Sequence, residues 1–196
     1  MKTALDTIAA TLYAGKTLSI RPLTHTDADL LVKWLSDPDV LAYYEGRDRP
    51  HDLAMVQEHY YDRAGNITGC IVQYNEEAIG YMQFYVVEEE ERQAYGYEGF
   101  AGNLYGMDQF IGETPYWNKG IGTALIAFAA NYLMTSKQAD KIVMDPQAWN
   151  ARALRAYEKC GFVKKAYLPE HEWHEGAYRD CWLIELERQP AGGPDK

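Results

Sequence analysis

Hydrophobic positions along this chain follow two periods, and the changes between them mark its elements. Short apolar or alternating runs at residues 17–23, 66–74, 78–87, 105–112, 141–144, 163–168 and 178–186 predict strands. Helical spacing appears from Leu30 to Leu35, over residues 52–63, across 121–134 and over 148–159. The longest of these carries Ile121, Leu125, Phe128, Tyr132 and Leu133 as one buried stripe. Punctuation agrees with the pattern. Thr24 with Asp27 has capping-box spacing, Asp37-Pro38 stops a helix, residues 75–77 turn a hairpin, and Gly161 ends the last helix. Residues 40–49, 88–98 and 169–180 read as loops. The order β-α-α-β-β-β-α-β-α-β-β predicts one α/β domain over 17–188, with 1–16 as an extension holding one weak helix and 189–196 as a disordered tail.

Composition narrows the chemistry. A chain of 196 residues is long enough for a real core. No apolar run approaches the roughly 18 residues of a membrane span, and the N-terminus lacks a small-residue cleavage site, so neither a membrane partner nor a signal peptide is expected. Cys70, Cys160 and Cys181 stand far apart, which predicts no disulfide, no thiolate zinc site and a cytoplasmic protein. The net charge of −10 disfavours nucleic acid as a partner. It either serves solubility alone or suits a cationic partner. The five glutamates of 88–98 pose the same choice, a solvated loop or an acidic rim. His171 and His174 lack the H-E-x-x-H pattern and a third ligand, so no metal is expected. There is no G-x-S-x-G elbow, and Lys119 precedes Gly120, which departs from the nucleotide-triphosphate loop.

Chemistry concentrates in 105–134, YGMDQFIGETPYWNKGIGTALIAFAANYLM. Asp108 lies mid-strand among apolar neighbours, where an unpaired carboxylate is costly unless a cation offsets it. The cluster Asn118-Lys119-Gly120-Ile121-Gly122-Thr123 opens a helix, whose bare N–H groups and positive dipole end make a phosphate cradle.

This cradle, followed by a strand, Asp145-Pro146, and the run Asn150…Ala153-Leu154-Arg155-x-Tyr157-Glu158-Lys159-x-Gly161-Phe162, resembles the acetyl-CoA-binding half of the GNAT N-acetyltransferase superfamily. The blocks GRDRP, YGMDQFIGE, YWNKGIGT, DPQAWNARALRAYEKCGF and LPEHEWHEG narrow the resemblance to aminoglycoside 6'-N-acetyltransferases, in particular the acetyltransferase half of the bifunctional aminoglycoside-modifying enzymes. It covers about residues 18–187. The resemblance implies a central mixed, mostly antiparallel sheet whose fourth and fifth strands are splayed by a bulge, with pantetheine in the gap. It implies acetyl-CoA as cosubstrate, a small polycationic aminoglycoside as partner, and a monomer or homodimer. Asp108 and Tyr157 are then the catalytic pair, receiving the amine's proton and protonating the departing thiolate. Phe110, Ile111, Asn118, Lys119, Gly120, Ile121, Gly122, Thr123, Asn150, Ala153 and Tyr157 are expected to hold acetyl-CoA. Tyr44, Glu98, Tyr105, Asp108 and Asp145 are expected to face the substrate. The family usually carries Gln or Arg where this chain has Trp117. A siderophore-precursor or polyamine acyltransferase, or a CoA-binding module without catalysis, would share the same fold.

Overall fold

The computed structural model describes residues 7–11, 16–63 and 65–188. Eight strands form one sheet: β1 (Ile8–Thr11), β2 (Thr17–Pro22), β3 (Thr68–Tyr74), β4 (Glu77–Val86), β5 (Leu104–Ile111), β6 (Lys141–Met144), β7 (Val163–His174) and β8 (Ala177–Glu187). Their spatial order is β1-β2-β3-β4-β5-β6-β8-β7. Every neighbouring pair is antiparallel except β5–β6, as the mixed sheet required. The extra edge strand β1 shifts the numbering, so the splayed pair expected as fourth and fifth is β5 and β6. Within the extension, where a weak helix was expected, residues 8–11 are this strand; residues 1–6 and 12–15 lie outside the described residues. Residues 189–196, expected to be a disordered tail, lie outside the described residues.

Both faces of the sheet are covered. On one, α5 (Ile121–Thr135) and α6 (Ala151–Lys159) pack Leu125, Ile126, Ala129, Leu133 and Leu154 onto β2–β6 and β8. On the other, α1 (Ala28–Trp34), α2 (Pro38–Leu41) and α3 (Leu53–Val56) bury Leu31, Trp34, Val40 and Val56 against Ile71, Tyr81 and Phe110. The inner strands therefore read as near-continuous apolar runs, buried on both sides. Among the described residues no helix is long and apolar enough to cross a membrane.

Four local readings change. Residues 38–41 form a helix because Asp37 accepts from the Asp39 N–H at 2.8 Å and Pro38 starts the first turn. The helix at 53–61 widens into a π turn over Gln57–Tyr61. The acidic run contains α4 (Glu89–Ala94): its three leading glutamates sit at the positive helix end, and Arg92 donates to the carbonyls of Val87, Phe100 and Gly102. The loop expected over 169–180 is instead the tip of the β7–β8 hairpin. It turns at Glu175 and Gly176, both with positive φ, as do Asn75 and Glu76 in the β3–β4 turn.

The β4–β5 register runs unbroken from Gly80↔Ile111 to Val86↔Tyr105, so no bulge in this pairing does the splaying. The β5–β6 pairing instead stops after three residue pairs, Leu104↔Lys141 to Gly106↔Val143, while β5 continues to Ile111. A wedge-shaped gap opens from there.

Asp27 anchors the sheet's entry into α1. Its carboxylate accepts from both terminal nitrogens of Arg21 at 2.8 and 2.6 Å and from the Thr24 N–H and hydroxyl. Burial alone would raise its pKa; these bonds outweigh it and hold the carboxyl below its ordinary value. Asp27→Ala is expected to lower stability by about 2–3 kcal/mol in urea unfolding at pH 7. Because the folded value is the lower one, the wild-type advantage should fade as pH falls below about 4.

Candidate active site

The gap leads straight to the start of α5. After β5 the chain makes a 3₁₀ turn at Thr114–Tyr116, and the Trp117 indole donates to the Ile111 carbonyl at 2.8 Å. Asn118 and Gly120 both adopt left-handed conformations, φ 58° and 78°. Within α5 the Ala124 N–H bonds to the Gly120 carbonyl. The N–H groups of Ile121, Gly122 and Thr123 come before the first intrahelical bond and point out of the helix mouth. A Cβ built on Gly120 or Gly122 would meet no protein atom within 4 Å, so the space over this turn is open. The Ile121 side chain is buried in the core and offers only its backbone. Lys119 Nζ lies 5.7 Å from the Tyr116 ring centre.

One cavity of about 940 Å³ joins this turn to the gap. It brings together Tyr44, Asp108, Phe110, Ile111, Asn118, Gly120, Gly122, Thr123, Asp145, Asn150, Ala153 and Tyr157 from distant parts of the sequence. Gly112 N–H bonds to Ile79, so by antiparallel alternation the Ile111 N–H points away from β4, toward the side that β6 has vacated. Gln109 spans the gap: its Nε2 donates to the Tyr157 hydroxyl oxygen at 2.8 Å and lies 3.8 Å from Met144 Sδ on β6. Burial, then the charge of Asp108, pushes the Tyr157 pKa well above its ordinary value, so the phenol keeps its proton at neutral pH. Asn150 caps α6 by accepting from the Ala153 N–H at 3.1 Å, a bond that leaves its amide donors for other partners. At the mouth, Arg152 packs between the rings of Tyr43 and Trp117, at 4.2 and 4.4 Å, and Tyr43 stacks on Trp149.

The far wall is acidic. Burial pushes the Asp108 carboxyl up to about 6 despite a 2.8 Å hydrogen bond from Gln83 Nε2; Asp145 and Glu172 add to the rise. Asp145 goes the other way. Burial opposes its charge, but His171 at 2.9 Å and the Tyr95 hydroxyl at 2.7 Å outweigh that and hold the carboxyl below its ordinary value. The same hydrogen bond raises the His171 pKa. Glu91 of α4 is raised by burial and by the charges of Asp145 and Asp108. Two neighbouring carboxylates are thus driven apart in acidity by different surroundings.

Two expected substrate contacts fall elsewhere. Tyr105 is an odd-numbered position on β5, so it faces the α5–α6 core, opposite Asp108. Glu98 is exposed beyond α4 and does not line the cavity. Its place in the acidic wall is taken by Glu172 of β7; Glu91 of α4 does not line the cavity but is half-buried near enough to Asp145 and Asp108 to feel their charge. The sequence reading also passed over Gln83, Gln109, Tyr95 and Arg152. Gln109 stands beside Asp108 in the strand and was findable there; the others need the tertiary fold. Among the described residues no group of three or more His, Cys, Asp or Glu side chains is placed to hold a metal ion.

A parallel pair that parts beside a glycine-opened helix, with a half-buried phenol on the facing helix, is the arrangement that the resemblance to GNAT acetyltransferases implied. A model of the acetyltransferase (GNAT) domain matches residues 24–168, and the chain belongs to this family. The aminoglycoside N(6')-acetyltransferase type 1 of Klebsiella pneumoniae is 31% identical over 155 residues, 78% of this chain and 77% of that one. The spermidine N(1)-acetyltransferase of Vibrio cholerae is 33% identical over 72 residues, 37% of this chain and 42% of that one. The structure of AAC(6')-Ib with ribostamycin and coenzyme A superposes with a TM-score of 0.72 at 27% identity, over 87% of this chain and 93% of that one.

The opposed surroundings of the two aspartates are open to measurement. In a carboxyl-carbon NMR titration, Asp108 is expected to titrate near pH 6 and Asp145 below the ordinary aspartate range. Asp108→Asn and Asp145→Asn assign the signals; an Asp108 midpoint near 4 would contradict the desolvation described above.

Proposed function

We propose that this protein transfers the acetyl group of acetyl-CoA to the 6'-amine of aminoglycosides by direct attack of the amine on the thioester, and so confers aminoglycoside resistance. The observation that carries this reading is the joining, in one cavity, of the open glycine turn, the β5–β6 gap and a wall of carboxylates. The relatives named for aminoglycoside acetylation support it.

The residues fit such a cosubstrate. The turn offers backbone N–H donors with no side chain over Gly120 and Gly122, and the gap offers the Ile111 N–H where no strand competes for it. Asn118, Lys119, Thr123, Asn150, Ala153 and Phe110 would complete the binding surface. Bound acetyl-CoA supplies the acetyl group as an activated thioester.

The chain's own residues do the rest. Asp145, Glu172 and Tyr44 with Asp108 place a polycationic acceptor, and holding two reactants together contributes up to roughly 7–11 kcal/mol. Asp108, ionised above pH 6, accepts the ammonium proton directly or through a water. The Ile111 N–H polarises the carbonyl. Tyr157 holds a proton at its phenolic oxygen for the thiolate that leaves, and the Gln109 N–H supports the negative charge that develops on that oxygen. No enzyme nucleophile is needed.

A polyamine acceptor is the second reading, favoured by the same acidic wall and by the spermidine acetyltransferase relative. Thiol release with kanamycin, aminoglycosides lacking the 6'-amine, spermidine and hydroxylysine separates the two. Turnover is expected only with drugs that carry the 6'-amine, and absence of kanamycin turnover overturns the leading reading. Asp108→Asn is expected to lower kcat/KM by about a hundredfold or more.

Gly122→Val tests the cradle. With open space at that Cβ, stability should change by less than about 1 kcal/mol. Calorimetric CoA affinity should fall by about tenfold or more, roughly 1.4 kcal/mol.

A further inference from the structure

One side chain grips Asp108, and that side chain is itself fixed from behind. Gln83 sits opposite Asp108 in the β4–β5 register and donates from Nε2 to Oδ2 at 2.8 Å. Its Oε1 accepts from the Arg63 guanidinium and from the Tyr81 hydroxyl at 2.9 Å. Arg63 also donates to Tyr81 at 2.8 Å, which turns the Tyr81 hydrogen toward Gln83. A flipped amide would set its NH₂ against the Arg63 donors and its carbonyl against a carboxylate. Both contacts are repulsive, since a guanidinium has no acceptor and an ionised carboxylate has no donor. The amide direction is therefore dictated by the partners on its two sides.

We propose that Gln83, locked by Arg63 and Tyr81, is a positioning residue for acetyl transfer: it commits Oδ2 of Asp108, favours the anion, and leaves Oδ1 for the acceptor's ammonium group. This rests on the reading of Asp108 as the group that takes the amine's proton. The lock answers a need set by the fold. From the end of β6, from β7 and from α4, the charges of Asp145, which follows the strand, of Glu172 and of Glu91 oppose that of Asp108. The phenols of Tyr44, Tyr81, Tyr85 and Tyr157, from the loop after α2, from β4 and from α6, are neutral at physiological pH. Arg63 is the cation whose charge supports the anion, and it acts on Asp108 both through space and through the Gln83 amide. Hydrogen bonds to a charged group count for more than neutral ones, so a single amide matters in this setting.

The test is kcat/KM against pH for the wild type, Gln83→Met, Tyr81→Phe and Asp108→Asn, with the acceptor that turns over best. The acceptor's own ionisation is common to all four and cancels in the comparison. For Gln83→Met the acid limb is expected to move up by about 1–2 pH units. Its deficit near pH 6 should shrink steadily as pH rises. Tyr81→Phe, which removes one donor behind the amide at constant shape, should shift the limb less and in the same direction. A deficit in Gln83→Met that is equal at every pH, or an unmoved limb, overturns the proposal. If that variant does not fold by circular dichroism, an unmoved limb in Tyr81→Phe overturns it instead. Asp108→Asn separates the two layers: wild-type turnover and profile there would sink the role of Asp108 itself.

Discussion

The active site depends on a pairing that ends early. Parallel β5 and β6 share three residue pairs, after which β6 stays with β8 while β5 stays with β4. Backbone donors and acceptors along the rest of β5 must then find partners other than a strand. The Trp117 indole takes the Ile111 carbonyl, and Gln109 reaches over the opening to Tyr157. Both devices brace the opening without filling it. Helices on the two faces keep the strands from closing, since α5 and α6 hold one side and α1–α3 the other.

The second constraint is charge. A cavity lined by Asp108, Asp145 and Glu172 resists ionisation unless each carboxylate is supported. Support comes unequally. Asp145 has His171 and Tyr95, whereas Asp108 has the amide of Gln83. The first is therefore a fixed anion at neutral pH, and the second remains close enough to neutrality to exchange a proton. Under the proposed function, a polycationic acceptor would meet a permanent countercharge at one point and a proton acceptor at another, which would orient it before any chemistry occurs.

Much of this was legible in the residues because it is local. The glycine turn, the helix it opens and the strand holding Asp108 are contiguous, and their periodicity survives in the fold. The errors arise where tertiary contacts override local pattern. Residues 88–98 read as a loop because four successive glutamates are poor core; the helix there exists because Arg92 ties three carbonyls together. The β7–β8 tip read as a loop because an edge strand needs no apolar alternation. Glu98 falls past the end of α4 and is exposed, whereas Glu91 within the helix is half-buried near the two aspartates. Tyr105 was a failure of parity, three residues from Asp108 and so on the other side of the sheet.

That parity reaches further than one tyrosine. Gly106, Asp108 and Phe110 serve one face of β5, while Met107 and Gln109 serve the other. The strand behaves like a reading frame, in which a single inserted or deleted residue would exchange the two messages. Asp108 and Gln109 would trade places, and a carboxylate would be driven into the α5–α6 core. The segments on either side carry no such frame. A change in the length of this strand would thus rewrite both faces at once, whereas a change in a flanking loop would leave them in place.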